Sequence, residues 1–410
     1  MSLLPTRRSL LQGAGALGLL GAALGHRSAR AAGPRRLVIW WSGGGWDTSY
    51  VFDPHFEGDI IDRDPDSDRA TYGDLVVAEA ADRPQVKAFF DAWADRAVVV
   101  NGLAVGSISH DACARLTLTG RRAEAPDLGS MLATGSSLGR PLPYVALSGP
   151  RFPGELGGTL THVGALALGT LRGEQPEGAA YSDDREALIR EYLRQEIHRV
   201  DPDAQRPRLQ RHQDAFTRLD TLDLYADQLT LAESPTADER VALGLTLLQL
   251  DLCGALMIEA PLPERSRWDS HQGNDLNQTD CFERGFGALH ELVQALHDTP
   301  DAQGGTLLDS TLVLAMSEMG RTPLMNQTGG KDHWPTTSLM MIGGGVSGGR
   351  TLGATTETLG PATIDLASGE TSASGERLSP PALLAGVLSA FDVDPEPWLP
   401  GVAPFTAWRG

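Results

Sequence analysis

Short apolar runs that alternate with longer helical stretches limit the fold of this chain more than any other feature of its sequence. Four runs predict buried strands: residues 36–41, 97–100, 311–316 and 338–342. Apolar residues at three- and four-residue spacing predict helices around 185–199, 208–232, 237–257 and 280–298, and a closing helix over 378–391. Residues 59–68 and 139–180, which are acidic or rich in proline and glycine, are expected to be surface excursions. The pattern predicts an α/β fold with a mostly parallel central sheet and helices on both faces.

Polar clusters follow most of these predicted strands. In parallel α/β sheets, ligands bind beyond the carboxyl ends of the strands, so the position of the clusters is the first indication of a functional site. The clusters are residues 43–48, 109–121, 268–274, 317–322 and 329–334.

The first cluster has three glycines ahead of Asp47, which would let the backbone approach a ligand closely. It lacks the glycine spacing of a dinucleotide fingerprint and the lysine of a phosphate-binding loop. A tight turn capped by Asp47 is the alternative interpretation.

The other clusters add histidines and carboxylates. Asp269 and His271 stand two residues apart, which in extended conformation places both side chains on one side of the chain. Asp332 and His333 are adjacent, and Glu318 directly follows a predicted strand. His110 is a lone histidine, and a lone histidine is more often a hydrogen-bonded structural residue than a ligand. Taken together, this mixed set of carboxylates and imidazoles is typical of zinc, manganese or iron sites. Two such ions a few ångströms apart would clamp an anionic ester.

The N-terminus indicates export. Residues 6–12 resemble the twin-arginine consensus through Arg7 and Arg8, a glycine-diluted apolar run follows, and residues 29–31 form an A-x-A cleavage pattern. Residues 1–31 are therefore predicted to be a signal peptide, with an uncleaved membrane anchor as the alternative. The expected partner during export is the twin-arginine translocase, and no stable membrane span is expected after cleavage.

Charge and cysteine content narrow the function classes. The formal charge of the whole chain is −19, and removal of four arginines with the signal would make it −23. So acidic a protein is a poor candidate for binding nucleic acid or anionic lipid, both of which need basic surface. Three cysteines without a C-x-x-C pair allow at most one internal disulfide, so cysteine chemistry does not organise this protein.

Residues 316–323 (MSEMGRTP), followed by Asn326, the 329–334 cluster and the glycine-rich segment 342–349, resemble the C-terminal signature of a bacterial family known as domain of unknown function 1501. Members of that family often carry twin-arginine signals, and the family is placed with the alkaline phosphatase and sulfatase superfamily. The resemblance implies one alkaline-phosphatase-like domain over residues 32–410.

The resemblance also implies roles for individual residues. It implies metal ligands at Asp47, Asp269, His271, Glu318 and His333, and Asp332, adjacent to His333, is a further candidate ligand because it offers oxygen donors. His110 occupies the position where sulfatases carry their nucleophile, with Ser109 beside it, so these two are the candidate catalytic residues. His110 could act as nucleophile, metal ligand or general acid/base, with metal-bound water as the alternative attacker. Two arginines, Arg115 and Arg321, could hold the non-reacting oxygens of a phosphate or sulfate, although as isolated surface residues they would have no role. Met319 stands where related enzymes have a histidine.

The predicted function is an exported hydrolase of phosphate or sulfate esters, acting on a glycan or another envelope polymer. One or two divalent ions are expected, zinc first, with manganese, iron or calcium as alternatives. A non-catalytic binding or assembly component of the envelope is the first alternative, because the nucleophile position is changed. A transferase that moves a phosphate-containing group onto a polymer is the second.

Overall fold

A computed structural model of the protein describes residues 33–162, 183–200, 205–225, 227–229, 232 and 234–410. The predicted signal peptide, residues 163–180 of the predicted surface excursion and parts of the region predicted as a helix over 208–232 lie outside the described residues.

The strands are β1 (Arg36–Trp41), β2 (Ser67–Tyr72), β3 (Leu75–Ala80), β4 (Ala97–Ala104), β5 (Leu142–Ala146), β6 (Leu160–His162), β7 (Cys253–Glu259), β8 (Thr311–Met316), β9 (Gly320–Arg321), β10 (His333–Trp334), β11 (Thr336–Gly343), β12 (Arg350–Gly353), β13 (Thr363–Ile364) and β14 (Glu376–Arg377). The helices are α1 (Pro84–Trp93), α2 (His110–Thr119), α3 (Leu128–Gly135), α4 (Asp183–Glu196), α5 (Arg206–Asp223), α6 (Ala237–Gln249), α7 (Asn274–Asp298), α8 (Leu307–Ser310) and α9 (Pro380–Ala390).

The central sheet has eight strands within the described part of the chain, in the order β12-β4-β11-β8-β1-β7-β5-β6. β11 runs antiparallel to both of its neighbours, and the other pairings are parallel. The carboxyl ends of β1, β4, β7 and β8 and the start of β11 therefore lie along one edge of the sheet.

Helices cover both faces of the sheet, as the apolar runs predict. Every residue of β1 is buried, because alternate side chains enter two different cores. Val38 and Trp40 pack with α1, α6 and α7, whereas Leu37, Ile39 and Trp41 pack with α2, α3 and α9. The predicted α/β class with a mostly parallel sheet is confirmed.

Two sequence predictions about the sheet are wrong. The helix predicted over 237–257 ends at Gln249, because Asp251 adopts a left-handed conformation with φ of 53° and β7 begins at Cys253. The region 139–180, predicted as a surface excursion, contains the buried strand β5, which pairs with β7 inside the sheet. Both strands are short apolar runs beside other apolar sequence, so helix and strand periods are hard to tell apart there.

Two negative findings concern the described residues. No helix among them is both long and apolar enough to cross a bilayer. Cys113, Cys253 and Cys281 are buried free thiols, so the one disulfide that the composition allowed is not formed.

Candidate metal centre

Loops from several strands meet at the edge of the sheet where the parallel strands end. A two-strand hairpin places one of them, because β9 follows β8 closely and pairs antiparallel with β10, setting His333 opposite Arg321. The converging segments are residues 43–49 after β1, 105–110 after β4, 260–271 after β7, 317–322 after β8 and 329–334 before β11.

Three potential ligand atoms from two of these loops form a nearly equilateral triangle. His271 Nε2 lies 3.0 Å from His333 Nε2 and 3.3 Å from Asp269 Oδ1, and His333 Nε2 lies 3.2 Å from the same oxygen. Ligands of a tetrahedral zinc ion with bonds of about 2.0 Å stand about 3.3 Å apart. The spacing of the three atoms therefore fits one ion bound between them.

A third histidine, His110, faces the same centre from the start of α2. Its Nε2 is buried, has no hydrogen-bond partner among the described residues and lies 3.5 Å from Asp269 Oδ2. One ligand atom each from His110, Asp269 and His333 lies within 4.8 Å of the others. His110 Nε2 thus lies close to the triangle, outside its three corners.

Hydrogen bonds on the side of each ring that faces away from the centre set the orientation of the three imidazoles. Each ring bonds to an oxygen through Nδ1 and leaves Nε2 for the centre, which is how metal-binding histidines are usually held. The Nδ1 partners are Glu318 Oε1 for His110 at 2.7 Å, Asp332 Oδ1 for His271 at 2.8 Å and the backbone oxygen of Ile108 for His333 at 2.7 Å.

Glu318 and Asp332, which the sequence predicts as metal ligands, thus contact histidines. Glu318 is almost fully buried, and its Oε1 also accepts the backbone N–H of Gly44 at 2.8 Å. Asp332 is exposed, and its hydrogen bond with His271 is the main cause that lowers the pKa of its carboxyl. In this geometry, both carboxylates orient imidazoles.

The hydrogen bond to Glu318 also changes the acidity of His110. It is the largest of the causes that raise the pKa of His110, ahead of the opposing effect of burial. The raised pKa favours the cationic ring, with protons on both nitrogens.

Arg321 holds Asp269 in place, although the sequence predicts it to bind substrate. The guanidinium is buried, donates to Asp269 Oδ1 at 2.8 Å and also donates to the backbone oxygens of Gly44, Gly45 and Lys331. Burial alone would raise the pKa of Asp269, but the bond to Arg321 and the nearby histidines together lower it. With its donors engaged inside the protein, Arg321 is not available to a substrate.

Arg115 and Ser109 are not joined to the triangle by any contact in the described part of the chain. The Arg115 guanidinium lies over the ring of Phe152, 4.5 Å from its centroid. Ser109 is the exposed residue before α2, next to His110 in sequence, and its backbone oxygen accepts from Cys113. Only Ser109 is close to the centre along the chain.

Asp47, the remaining predicted ligand, lies in a separate buried group. Its carboxylate is fully buried and bonds to the ammonium of Lys331 at 2.7 Å, to the side-chain amide of Asn274 at 2.9 Å and to the hydroxyl of Ser49 at 2.7 Å. The carboxylate already has a cation beside it, so the structure does not bring Asp47 into the histidine centre.

A glycine allows the two histidine loops to pack against each other. A β-carbon added at Gly330 would lie 2.0 Å from the backbone carbon and oxygen of His271, closer than any real contact. The loop that carries Asp332 and His333 can therefore rest on the His271 segment only because residue 330 has no side chain.

Sequence reasoning missed the partners that position the centre. Lys331 stood inside a recognised cluster, between Gly330 and Asp332, but no spacing rule connects it to Asp47. The backbone oxygen of Ile108 carries no sequence signal.

Comparison with protein families identifies the family of this chain. The family described as protein of unknown function DUF1501 matches residues 168–397, more than half of the chain. The protein belongs to this family. The DUF1501 match includes Asp269, His271 and the whole segment from Glu318 to His333, whereas Asp47 and His110 lie outside it.

Solved structures similar to this DUF1501 protein include a sulfatase, a phosphonate monoester hydrolase and a lipoteichoic acid synthase. The PsFucS1 sulfatase from Pseudoalteromonas sp. is 10% identical, with 89% of this chain and 68% of that chain covered and a TM-score of 0.37. The phosphonate monoester hydrolase SpPMH from Silicibacter pomeroyi is 12% identical, with 92% and 78% covered and a TM-score of 0.38. The lipoteichoic acid synthase LtaP from Listeria monocytogenes is 9% identical, with 79% and 69% covered and a TM-score of 0.35.

These likenesses are too distant to transfer an activity. A search of curated proteins found no significant match to this DUF1501 sequence.

Proposed function

We propose that this protein is an exported, metal-dependent hydrolase of phosphate or sulfate esters. One observation carries the proposal: three imidazoles and Asp269 face one centre, and each imidazole is oriented through its Nδ1 by a protein oxygen. Such preorganisation is typical of metal centres, because the outer partner fixes the tautomer and the ring orientation of each ligand.

Asp269, His271 and His333 are the proposed ligands, and zinc is the proposed ion. Two imidazoles and one carboxylate suit zinc, manganese or iron better than calcium, which prefers oxygen ligands alone. A bound zinc ion would polarise an ester oxygen and make water a stronger nucleophile at neutral pH.

His110 is the proposed general acid, across the centre from these ligands. Its Nδ1–H donates to Glu318, so the proton on Nε2 is free to be transferred. In hydrolysis, the water oxygen bonds to phosphorus or sulfur, the bond to the ester oxygen breaks, and His110 Nε2 protonates that leaving oxygen. The proton lost by the water restores His110, so protons and electrons balance over the cycle.

Direct attack by water is favoured over a covalent intermediate on cysteine. Cys113 is the cysteine near His110 in sequence, but it is buried, and burial raises the pKa of its thiol. A protonated, buried thiol is a poor nucleophile. Ser109, exposed beside His110, is the alternative nucleophile.

Export rests on the residues that resemble a twin-arginine signal. A protein exported in the folded state could acquire its metal before it crosses the membrane. A variant with both Arg7 and Arg8 changed to lysine should remain in the cytoplasmic fraction, whereas the unchanged chain is recovered from the periplasm. An envelope polymer or glycan is the proposed source of the ester.

A non-catalytic binding role is the second candidate, and the position of His110 is the observation that favours it. If His110 Nε2 completes a ligand set of three histidines and Asp269, all four positions of a tetrahedral ion are filled. Closed four-coordinate sites are structural, whereas catalytic zinc keeps one position for water or substrate.

The variant His110→Gln separates the two candidates. The purified protein is loaded with zinc and assayed with aryl phosphates and aryl sulfates, and zinc affinity is measured by competition with a chromophoric chelator. For the hydrolase, His110→Gln keeps zinc affinity within about threefold but loses turnover by about 100-fold or more, which is the usual worth of a general acid. A fall in affinity without any turnover in the unchanged protein contradicts the hydrolase and supports the closed site.

Two further variants test the assigned chemistry. Ser109→Ala should retain turnover, and loss of turnover would move the reaction to a covalent step on that serine.

Because Glu318 is the main cause of the raised pKa of His110, Glu318→Gln should shift the alkaline limb of the rate profile to lower pH. Product analysis in the presence of glycerol distinguishes hydrolysis from transfer to an acceptor.

A further inference from the structure

A second carboxylate at the same edge of the sheet has a different environment from the histidine centre. Asp47 and Lys331 form an ion pair in which both side chains are 0% exposed, with Nζ 2.7 Å from Oδ2. Asp47 lies in the loop after β1, and Lys331 lies two residues before His333.

The remaining polar atoms around this pair are also matched. Ser49 donates its hydroxyl to Asp47 Oδ1, and its oxygen lies 3.2 Å from the Lys331 ammonium. Asn274 donates to Asp47 Oδ2, and the ammonium stands 5.8 Å from the centre of the Tyr50 ring. Both oxygens of Asp47 are therefore satisfied inside the protein.

A buried ammonium at this position is incompatible with a metal ion on Asp47. Carboxylate oxygens bind zinc at about 2.0–2.2 Å, so an ion on Oδ2 would stand close to a like charge that has no water to screen it. The cation of the pair already neutralises Asp47.

The backbone of Lys331 is held by the same loops that hold the metal ligands. Its N–H donates to the backbone oxygen of Ser270, at 3.0 Å, and its own oxygen accepts from Arg321, at 3.1 Å. The side chain thus ties the loop carrying Asp332 and His333 to the loop after β1.

We infer that Lys331 is a built-in cation that replaces a metal ion at Asp47, so that the protein binds one metal ion, and that it positions His333. This inference rests on the proposed metal centre, but not on its catalytic activity. It assigns Asp47 to an ion pair in place of the expected role as a metal ligand, and it proposes one bound ion where the sequence allows one or two.

The test measures zinc bound per chain, by elemental analysis and by chelator competition, in the full-length protein and in Asp47→Asn. We expect one ion per chain in both, and any loss of affinity in Asp47→Asn should stay well below the loss in His271→Ala, because the asparagine weakens the tie to Lys331 but removes no ligand. His271→Ala is the positive control, and its zinc affinity should fall by more than the roughly 10–100-fold that loss of an outer partner costs. Two ions in the unchanged protein, or a loss in Asp47→Asn as large as in His271→Ala, would overturn the inference.

A second pair of variants covers the case in which Asp47→Asn does not fold. Lys331→Met leaves a buried carboxylate without its cation and should strongly lower the melting temperature. The double variant Asp47→Asn/Lys331→Met has no unpaired charge, so its melting temperature should recover most of that loss.

Zinc affinity in the double variant tests the positioning role. We expect it to stay below that of the unchanged protein, because the loop has lost its tie to Asp47. Full recovery of zinc affinity in the double variant would overturn the positioning role. If its melting temperature does not recover, the broken ion pair is not the cause of the low melting temperature of Lys331→Met. Absence of ester hydrolysis with one ion bound would contradict only the proposed function, so the two failures are distinguishable.

Discussion

Two segments of this protein have the same Asp-x-His pattern and nearly the same distance between the two side chains, yet different surroundings. In the first, His55 Nε2 lies 3.2 Å from Asp53 Oδ1, and in the second, His271 Nε2 lies 3.3 Å from Asp269 Oδ1. The distance between the imidazole nitrogen and the carboxylate oxygen is therefore nearly the same in both places, although His55 has a left-handed backbone with φ of 46°.

The contacts that each histidine makes beyond its aspartate distinguish the two segments. His271 Nε2 faces a second imidazole at 3.0 Å, and its Nδ1 is held by Asp332. His55 Nε2 faces the hydroxyl of Thr355 at 2.7 Å, and Thr355 also donates to Asp53. A hydroxyl can satisfy both members of the Asp53–His55 pair, whereas two imidazole nitrogens that face each other invite a metal ion between them.

The largest expected difference is in metal binding. His271→Ala removes one corner of the ligand triangle and should lower zinc affinity by on the order of 100-fold or more, because ligand number sets affinity at such a site. His55→Ala is the matched variant and should leave affinity within about threefold. Equal losses in a chelator-competition titration would show that the two segments do not differ in the way proposed.

A smaller effect is expected from the outer partner of His271. Asp332→Asn keeps the shape of the side chain but removes the charge that holds Nδ1, and should weaken zinc binding about 10–100-fold without changing the number of ions bound. Asp298→Asn, at the end of α7, serves as the control. An unchanged affinity in Asp332→Asn would mean that this carboxylate does not orient the ring.

The smallest effect concerns stability at the first segment. The hydrogen bond to Asp53 is the main cause of the raised pKa of His55, so this pair stabilises the fold most below the ordinary histidine pKa of 6.5. Its contribution should be lost as pH rises through the raised pKa, on the order of 1 kcal/mol or less. Melting temperatures of the metal-free protein and of His55→Gln, compared across this pH range, should converge as pH rises.

The exposed histidine variant His198→Gln is the control for this measurement. A gap between the unchanged protein and His55→Gln that widens with rising pH would contradict the assigned sign.

The fold could be predicted where apolar runs were clearly bounded. Predicted strands over 36–41 and 311–316 match β1 and β8, and the closing helix over 378–391 matches α9 within two residues. β5 and β7 were missed, because buried strands of a parallel sheet lack the alternation that separates a strand from a helix. The antiparallel direction of β11 also has no signal in its own residues.

In the candidate site, too, some features could be predicted from the sequence and others could not. The sequence determined which residues lie at the strand ends and which pairs share one side of the chain, because both follow from covalent spacing and strand geometry. Only the tertiary structure decided that Asp269 joins two histidines while Asp47 meets Lys331. The physical reason is that a buried carboxylate must be neutralised by whichever cation the folded loops bring to it, and Asp47 and Lys331 are far apart in the sequence.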